Sequence, residues 1–507
     1  MYNHSTPTRP QKPLPDNRSC PANGLNSQQR QRLALEALAG AQPLSHLADE
    51  HDVSRKFVYQ QAGKAQQALD SAFAPKPAKN QKVLFTIPVT ETLLHQIVLA
   101  LILICHSSFR GVVEFLRDLF DFRISVGTVA NIVHSAVDSA RAHNERQDLS
   151  AVDIGSHDEI FQTQEPVLVG VCAHSSYCYL LAQEQHRDAD TWGVHLLDLK
   201  KRGFRPRATI ADFASALRAG QELALPGVPC RGDVFHAVYV FQKVVRSLES
   251  RAYEALALRL DLQRQLATPG KRRDRNKASL VARLRQARLA EAQALALYDD
   301  MALLLSWLRK DILSVAGPDY ATRVALYDFV VAELQAREAS GPKGIKQART
   351  LLQNHRSALL GFVAALAETL TAVAAGWEVP LAVADELLQV QALPESNPCR
   401  WQREAVLREQ LRGRYYGLSQ VVAAVAADVV RASSVVENLN SRLRGYFFLR
   451  RELGSGYLSL LQFFLNHRRF QRSEHAERVG KSPAELLTGQ THPHWLELLG
   501  YQRFKCN

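Results

Sequence analysis

The sequence has no CxxC pair and no Cys/His spacing of the kind that builds a zinc site. Its seven cysteines, Cys20, Cys105, Cys172, Cys178, Cys230, Cys399 and Cys506, are odd in number and widely scattered. That pattern argues against a disulfide framework and fits a reducing, cytoplasmic compartment. Cys172 and Cys178 flank an expected hairpin turn and read as core residues. His174, His186 and His195 show no metal spacing. Long apolar runs are also missing. The longest, residues 97–105, falls far short of the roughly 20 residues that span a bilayer, so a buried helix is expected there and no membrane partner. No secretory signal is visible; STPTRPQKPLPDNRS is polar and Pro-rich, and residues 1–26 are expected to form a disordered tail.

Positive charge is abundant. Lys and Arg number 62 against 50 Asp and Glu, giving a net charge of +12 and a pI near 9.4. A basic balance favours polyanions, nucleic acid first; the plain alternative is a protein that is simply basic. With 46% apolar and 22% charged residues, the 507-residue chain has a globular composition and room for two to four domains.

Residues 27–72 read as three short helices with helix-turn-helix punctuation. Leu44, Leu47 and Ala48 give an apolar face, His51 and Asp52 a turn, and Ser54 an N-cap for a helix carrying Arg55, Lys56, Tyr59 and Gln60. Polar and basic residues at the start of such a helix suit the DNA major groove; an ordinary helical hairpin is the competing reading. A Pro/Lys-rich linker covers residues 73–88. Residues 89–149 form a second helical unit, with a turn and cap at Ser125-Val126-Gly127-Thr128, as either a second helix-turn-helix or a structural brace.

From residue 150 the periodicity changes. Strands are expected at 152–161, 167–173 and 177–182, a helix ending at Gly203, a strand at 208–211, a helix at 213–225 and a strand at 227–230. This order predicts an α/β mixed sheet over 150–233. Residues 234–431 read as almost wholly helical, and 432–507 as a further helical stretch with a C-terminal tail.

Three acids stand out: Asp158 in SHDEIFQ on the first strand, Asp212 just after RATIA, and Glu437 inside the helix SSVVENLNSRLR. Carboxylates from a strand, a strand end and a helix can hold two divalent cations about 4 Å apart for phosphodiester cleavage. Helical spacing adds Asn440, Ser441 and Arg444 to the Glu437 face, where Asn440 and Arg444 could position a phosphate. Taken singly, Asp158 could be a surface acid, Asp212 a helix N-cap and Glu437 a solvated helix residue. Asp233, with His236 one turn on, is a rival second carboxylate or an accessory pair. The run KRRDRNK from Lys271 reads mainly as a solvated loop. Trp401 reads as core in preference to a base-stacking group.

Together, DEIF followed by PVLVGV, DADTW opening a helix, an Asp after the fourth strand, SSVVENLNSRLR, and the closing NHRRFQR and GKSPAELL resemble a DDE-type transposase of a bacterial insertion sequence over about residues 90–500. The resemblance implies an RNase H-like core with an all-helical insertion and N-terminal helix-turn-helix modules. It implies Asp158, Asp212 and Glu437 as an Mg2+-binding triad, with Mn2+ as a substitute. It also implies double-stranded DNA partners (terminal repeats and target), an oligomer on DNA and a nucleoid-associated protein. Phe213 departs from the Gly found after the second acid in many such enzymes. A non-catalytic regulator derived from a transposase, or a nuclease of the same fold without strand transfer, are the alternatives.

Overall fold

The computed structural model describes residues 24–74, 87–268, 277–339, 341–449 and 454–503. The N-terminal tail and the linker expected at 73–88 lie largely outside these residues; Cys20, Cys506 and nearly all of the Lys271 run lie outside them too. The chain divides into two units, residues 1–88 and 89–507.

The first unit contains α1 (Ser27–Ala39), α2 (Leu44–Glu50) and α3 (Arg55–Phe73). A capping box opens α1: Asn26 accepts from the Gln29 N–H, and the Gln29 side chain accepts from the Asn26 N–H. Gly40, at φ +64°, ends it in the left-handed region. The chain turns at Asp52, and Ser54 then caps α3 by accepting from the Phe57 N–H at 3.2 Å. Leu33, Leu47, Ala48 and Val58 make the small core. Arg55, Lys56, Tyr59 and Gln60 all face outward from the start of α3.

In the second unit, α4 (Glu91–Leu103), α5 (Phe109–Phe120) and α6 (Val126–Arg146) precede the sheet. Ser125 caps α6 as expected. The meander β1 (Ile154–Gln162), β2 (Glu165–Cys172) and β3 (Cys178–Gln183) is antiparallel. After α7 (Ala189–Lys201), β4 (Ala208–Ala211) joins β1 in parallel, and after α8 (Ser215–Ala224), β5 (Cys230–Gly232) joins β4 in parallel. The order is β3-β2-β1-β4-β5, a mixed sheet in a mostly helical chain. Two expected boundaries move. Glu165 and Pro166 already pair with Gln162 and Phe161, so the turn is at Thr163 and Gln164. The last strand begins at Cys230 because Gly227, at φ +81°, belongs to a turn.

Each face of the sheet has its own core, as period-two alternation requires. Leu168, Cys172, Tyr177 and Tyr179 pack with Trp192 and Leu196 of α7 and Leu217 of α8. Ile160, Val167, Val169 and Cys178 pack with α4–α6, α17 (Ser434–Phe447) and α18 (Ser455–His467). The helices of 89–149 therefore share the sheet's core, as a brace would. The short helices α19 (Pro483–Thr488) and α20 (Trp495–Leu498) follow.

Between β5 and α17 the chain is helical: α9 (Val234–Ala267), α10 (Lys277–Trp307), α11 (Tyr320–Arg337), α12 (Lys343–Asn354), α13 (Arg356–Gly376), α14 (Leu381–Ala392), α15 (Pro398–Leu411) and α16 (Tyr415–Asp428). One core joins α9–α13 around Phe241, Tyr327 and Phe362; another joins α13–α16 around Leu370, Leu387 and Leu418. By length and composition α13 could cross a membrane, yet Leu359, Phe362, Val363 and Leu366 are buried in these cores. Trp401 is 54% exposed, contrary to the expected core position, because its indole N–H donates to the Glu395 carbonyl at the helix surface.

Helices α7 and α8 touch where Gly193 faces Gly220. A β-carbon on Gly220 would collide with the Ala189 carbonyl oxygen and lie 2.8 Å from Trp192 Cβ. Gly220→Val is expected to destabilise the second unit by about 1–3 kcal/mol. Urea denaturation checks this, with Arg283→Gln as an exposed control.

Candidate active site

The parallel pairing of β1, β4 and β5 aligns three acids. His157 stands opposite Ala211, and Ala211 opposite Gly232. The next residues are Asp158, Asp212 and Asp233, side by side at one level of the sheet. Asp158 is directed toward α17, while its neighbours His157 and Glu159 face α7.

Asp158 is half-buried. One carboxylate oxygen accepts from the Glu159 N–H at 2.8 Å and the other from Asn440 Nδ2 at 2.7 Å. Burial, with the charges of Asp212, Glu437 and Glu159, pushes its carboxyl up to about 6. Asp212 lies just beyond β4 and accepts from the Ala214 N–H at 3.0 Å. It turns the chain into α8 without being that helix's N-cap, which is Ala214. Arg218 locks the turn: it donates to the carbonyls of Asp212, Cys230 and Arg231, and stacks over Phe213. Phe213 packs against His355 and His236.

Glu437 lies in the first turn of α17 and is exposed. Partial burial raises its carboxyl, as does the charge of Asp233, while His236 and Arg444 oppose the rise. Glu437 is thus within electrostatic reach of both Asp158 and Asp233. Arg444 is exposed on the same helix face.

Asp233 is buried, and its bonds are internal. It caps α9 by accepting from the His236 N–H at 3.1 Å and accepts from both the N–H and the hydroxyl of Ser433. It therefore ties the start of α9 to the residue that begins α17. Asn440 differs from its expected part as a DNA contact. It is buried, and its amide orients Asp158 instead of facing outward.

Two site residues escaped the sequence reading. Glu159 accepts from Trp192 Nε1 at 3.0 Å and from Arg187 at 2.7 Å. Arg187, raised by its bond to Glu159 and by the charges of Glu159 and Asp212, places an exposed guanidinium beside the acids. DADTW was legible as a helix start, and Asp188 does cap α7. Nothing in the local pattern marked Arg187, which reaches back across 28 residues to β1.

Carboxylate oxygens are the donors that Mg2+ prefers, and repulsion among the acids at Asp158 is what a divalent cation would relieve. Asp158, Asp212 and Glu437 fit such an ion in donor chemistry. Among the described residues, however, no three His, Cys, Asp or Glu side chains form a ready-made metal cluster. The chain matches no known family model and no curated protein. The functional reading accordingly rests on this site.

The raised Asp158 carboxyl has a testable consequence. Its folded value of about 6 exceeds the unfolded value of about 3.9. The stability it lends is complete below about pH 4 and is lost as pH rises through about 6. Without divalent cations, Asp158→Asn should therefore be more stable than the wild type by about 2 kcal/mol at pH 8, with the gap closing below pH 4. Asn440 can turn its amide to suit the new side chain, since its Oδ1 is free. Denaturant unfolding across pH measures the difference; a gap that widens in acid would contradict the assignment.

Proposed function

We propose that the chain is a DNA transposase of the DDE type with an RNase H-like core, acting in the bacterial cytoplasm on the ends of its own element. The observation that carries this reading is the placement of Asp158 and Asp212 each one residue past the last paired residues, His157 and Ala211, of neighbouring parallel strands, under a helix that carries Glu437 and is tied to Asp158 through Asn440. Asp158, Asp212 and Glu437 would hold Mg2+, or Mn2+ in its place. Such ions, when bound, activate the attacking oxygen and stabilise the leaving oxygen.

The chain's own residues supply orientation. Asn440 fixes the Asp158 carboxylate, and Arg218 fixes the turn that carries Asp212. Asp233 anchors the start of the Glu437 helix through Ser433. Arg444 and Arg187 offer exposed guanidinium groups for the phosphate flanking the cut, and His236 stands near Glu437. The outward face of α3, with Arg55, Lys56, Tyr59 and Gln60, supports a helix-turn-helix module reading the element's end in the major groove.

A second reading, a DNA-binding regulator without catalysis, is favoured by the lack of a ready-made metal cluster among the described residues. Cleavage of labelled end DNA in Mg2+ separates the two. Asp158→Ala, Asp212→Ala and Glu437→Ala should each lower cleavage at least about 1000-fold, as ligands of one site act together. End binding should remain within about threefold. Near wild-type cutting by any one of them would remove that residue from the triad, and a wild type that binds ends but never cuts would favour the regulator.

Recognition has its own test. A protein beginning at residue 80 should lose its preference for end DNA over random DNA in competition binding. Unchanged preference would assign recognition to the second unit.

A further inference from the structure

A cavity of about 640 Å³ opens beside α17, away from the acids. Its walls carry Arg442, Arg468, Arg472 and Arg478, with Ser434 and Asn438 from the helix itself. Arg442 is five residues beyond Glu437, so it sits roughly 140° around the helix and about 7.5 Å along it.

The charges in this cavity are unbalanced. Among the described residues, Arg442, Arg468 and Arg472 are paired with no carboxylate. Arg469, also in the lining, is already committed to Glu485 at 2.7 Å. Arg478 is held in place by donating to the His174 carbonyl at 2.8 Å. Among the described residues Glu474 is the one acid in the lining, and it is exposed. Burial lowers the Arg442 guanidinium from its usual value, and the nearby charge of Arg468 acts in the same direction. Two like charges, one of them largely removed from water, are costly unless an anion joins them.

The framework is built to keep the guanidinium groups together. Phe470 bridges to Val479, its N–H donating to the Lys481 carbonyl at 2.8 Å, which closes the 470–481 loop on itself. Arg468 lies over the Phe464 ring at 5.5 Å. The first turn of α17 opens into the same space without a side-chain cap, because the Ser433 hydroxyl is turned to Asp233. Uncapped N–H groups and planar guanidinium forks both suit phosphate oxygens.

We propose that this cavity binds backbone phosphate of a nucleic-acid strand, on the side of α17 turned away from Glu437. The assignment rests on the nucleic-acid reading above but not on catalysis. Its role would be to fix the register of the strand as it passes round α17.

The test is binding of random-sequence DNA, duplex and single-stranded, to the full chain in EDTA, read by fluorescence anisotropy over a salt series. Arg468→Gln/Arg472→Gln should weaken binding about tenfold or more and flatten the log–log salt slope by about 1 to 2. Arg442→Gln should weaken binding too; the double variant, on the cavity rim, keeps the test valid if that protein folds poorly. Arg283→Gln/Arg288→Gln, an exposed pair of equal charge on α10, should change little. The proposal is overturned if the cavity variants bind as the wild type does, or if the α10 pair weakens binding equally. It is also overturned if inorganic pyrophosphate fills the cavity at one equivalent without displacing DNA, which would assign it to a free diphosphate. No metal is present, so failure of the cleavage reading leaves this result intact, and the reverse.

Discussion

The parallel ladder between β1 and β4 is the constraint on which the rest depends. Four residue pairs, ending at His157 and Ala211, fix Asp158 beside Asp212. A slip of one residue would turn Asp158 from α17 toward α7 and exchange it with Glu159. The chain therefore holds two acids close together, and burial first, with their mutual repulsion added to it, raises the Asp158 carboxyl. Stability alone would not select such a pair.

The other contacts around the site keep that arrangement in place. Arg218 ties the ends of β4 and β5 by three carbonyls. Asp233 joins the start of the helical insertion to the start of α17, so a segment of nearly two hundred residues leaves and re-enters the sheet at one point. The insertion builds cores of its own and meets the sheet where α13 packs against β5. Asn440 then links α17 back to β1.

Much of this was legible in the sequence because the signals are local. Ser54, Ser125 and Asp188 are side chains that cap the helix that follows, and all three do so. RATIA is a short apolar run, and β4 is found at its expected residues. What was not legible depends on distant partners. Asn440 is one of several polar residues on its helix face, and only its contact with Asp158, 282 residues away, separates it from an exposed one. Trp401 is a large aromatic that the composition assigns to a core, yet a surface carbonyl holds its indole outside. The arginine cavity gathers residues from α17 and from the loop after α18, and neither segment alone suggests a phosphate site.

The central claim is that the aligned acids form a divalent-cation site. Isothermal calorimetry of the full chain with Mg2+ and Mn2+, in buffers of different ionisation enthalpy, tests it without requiring cleavage. Since Asp158 must lose its proton to bind a cation, the account predicts saturable binding with proton release that grows as pH falls from about 7.5 toward about 6, and loss of both in Asp158→Asn. Binding that is absent, or that is unchanged in Asp158→Asn, would contradict it.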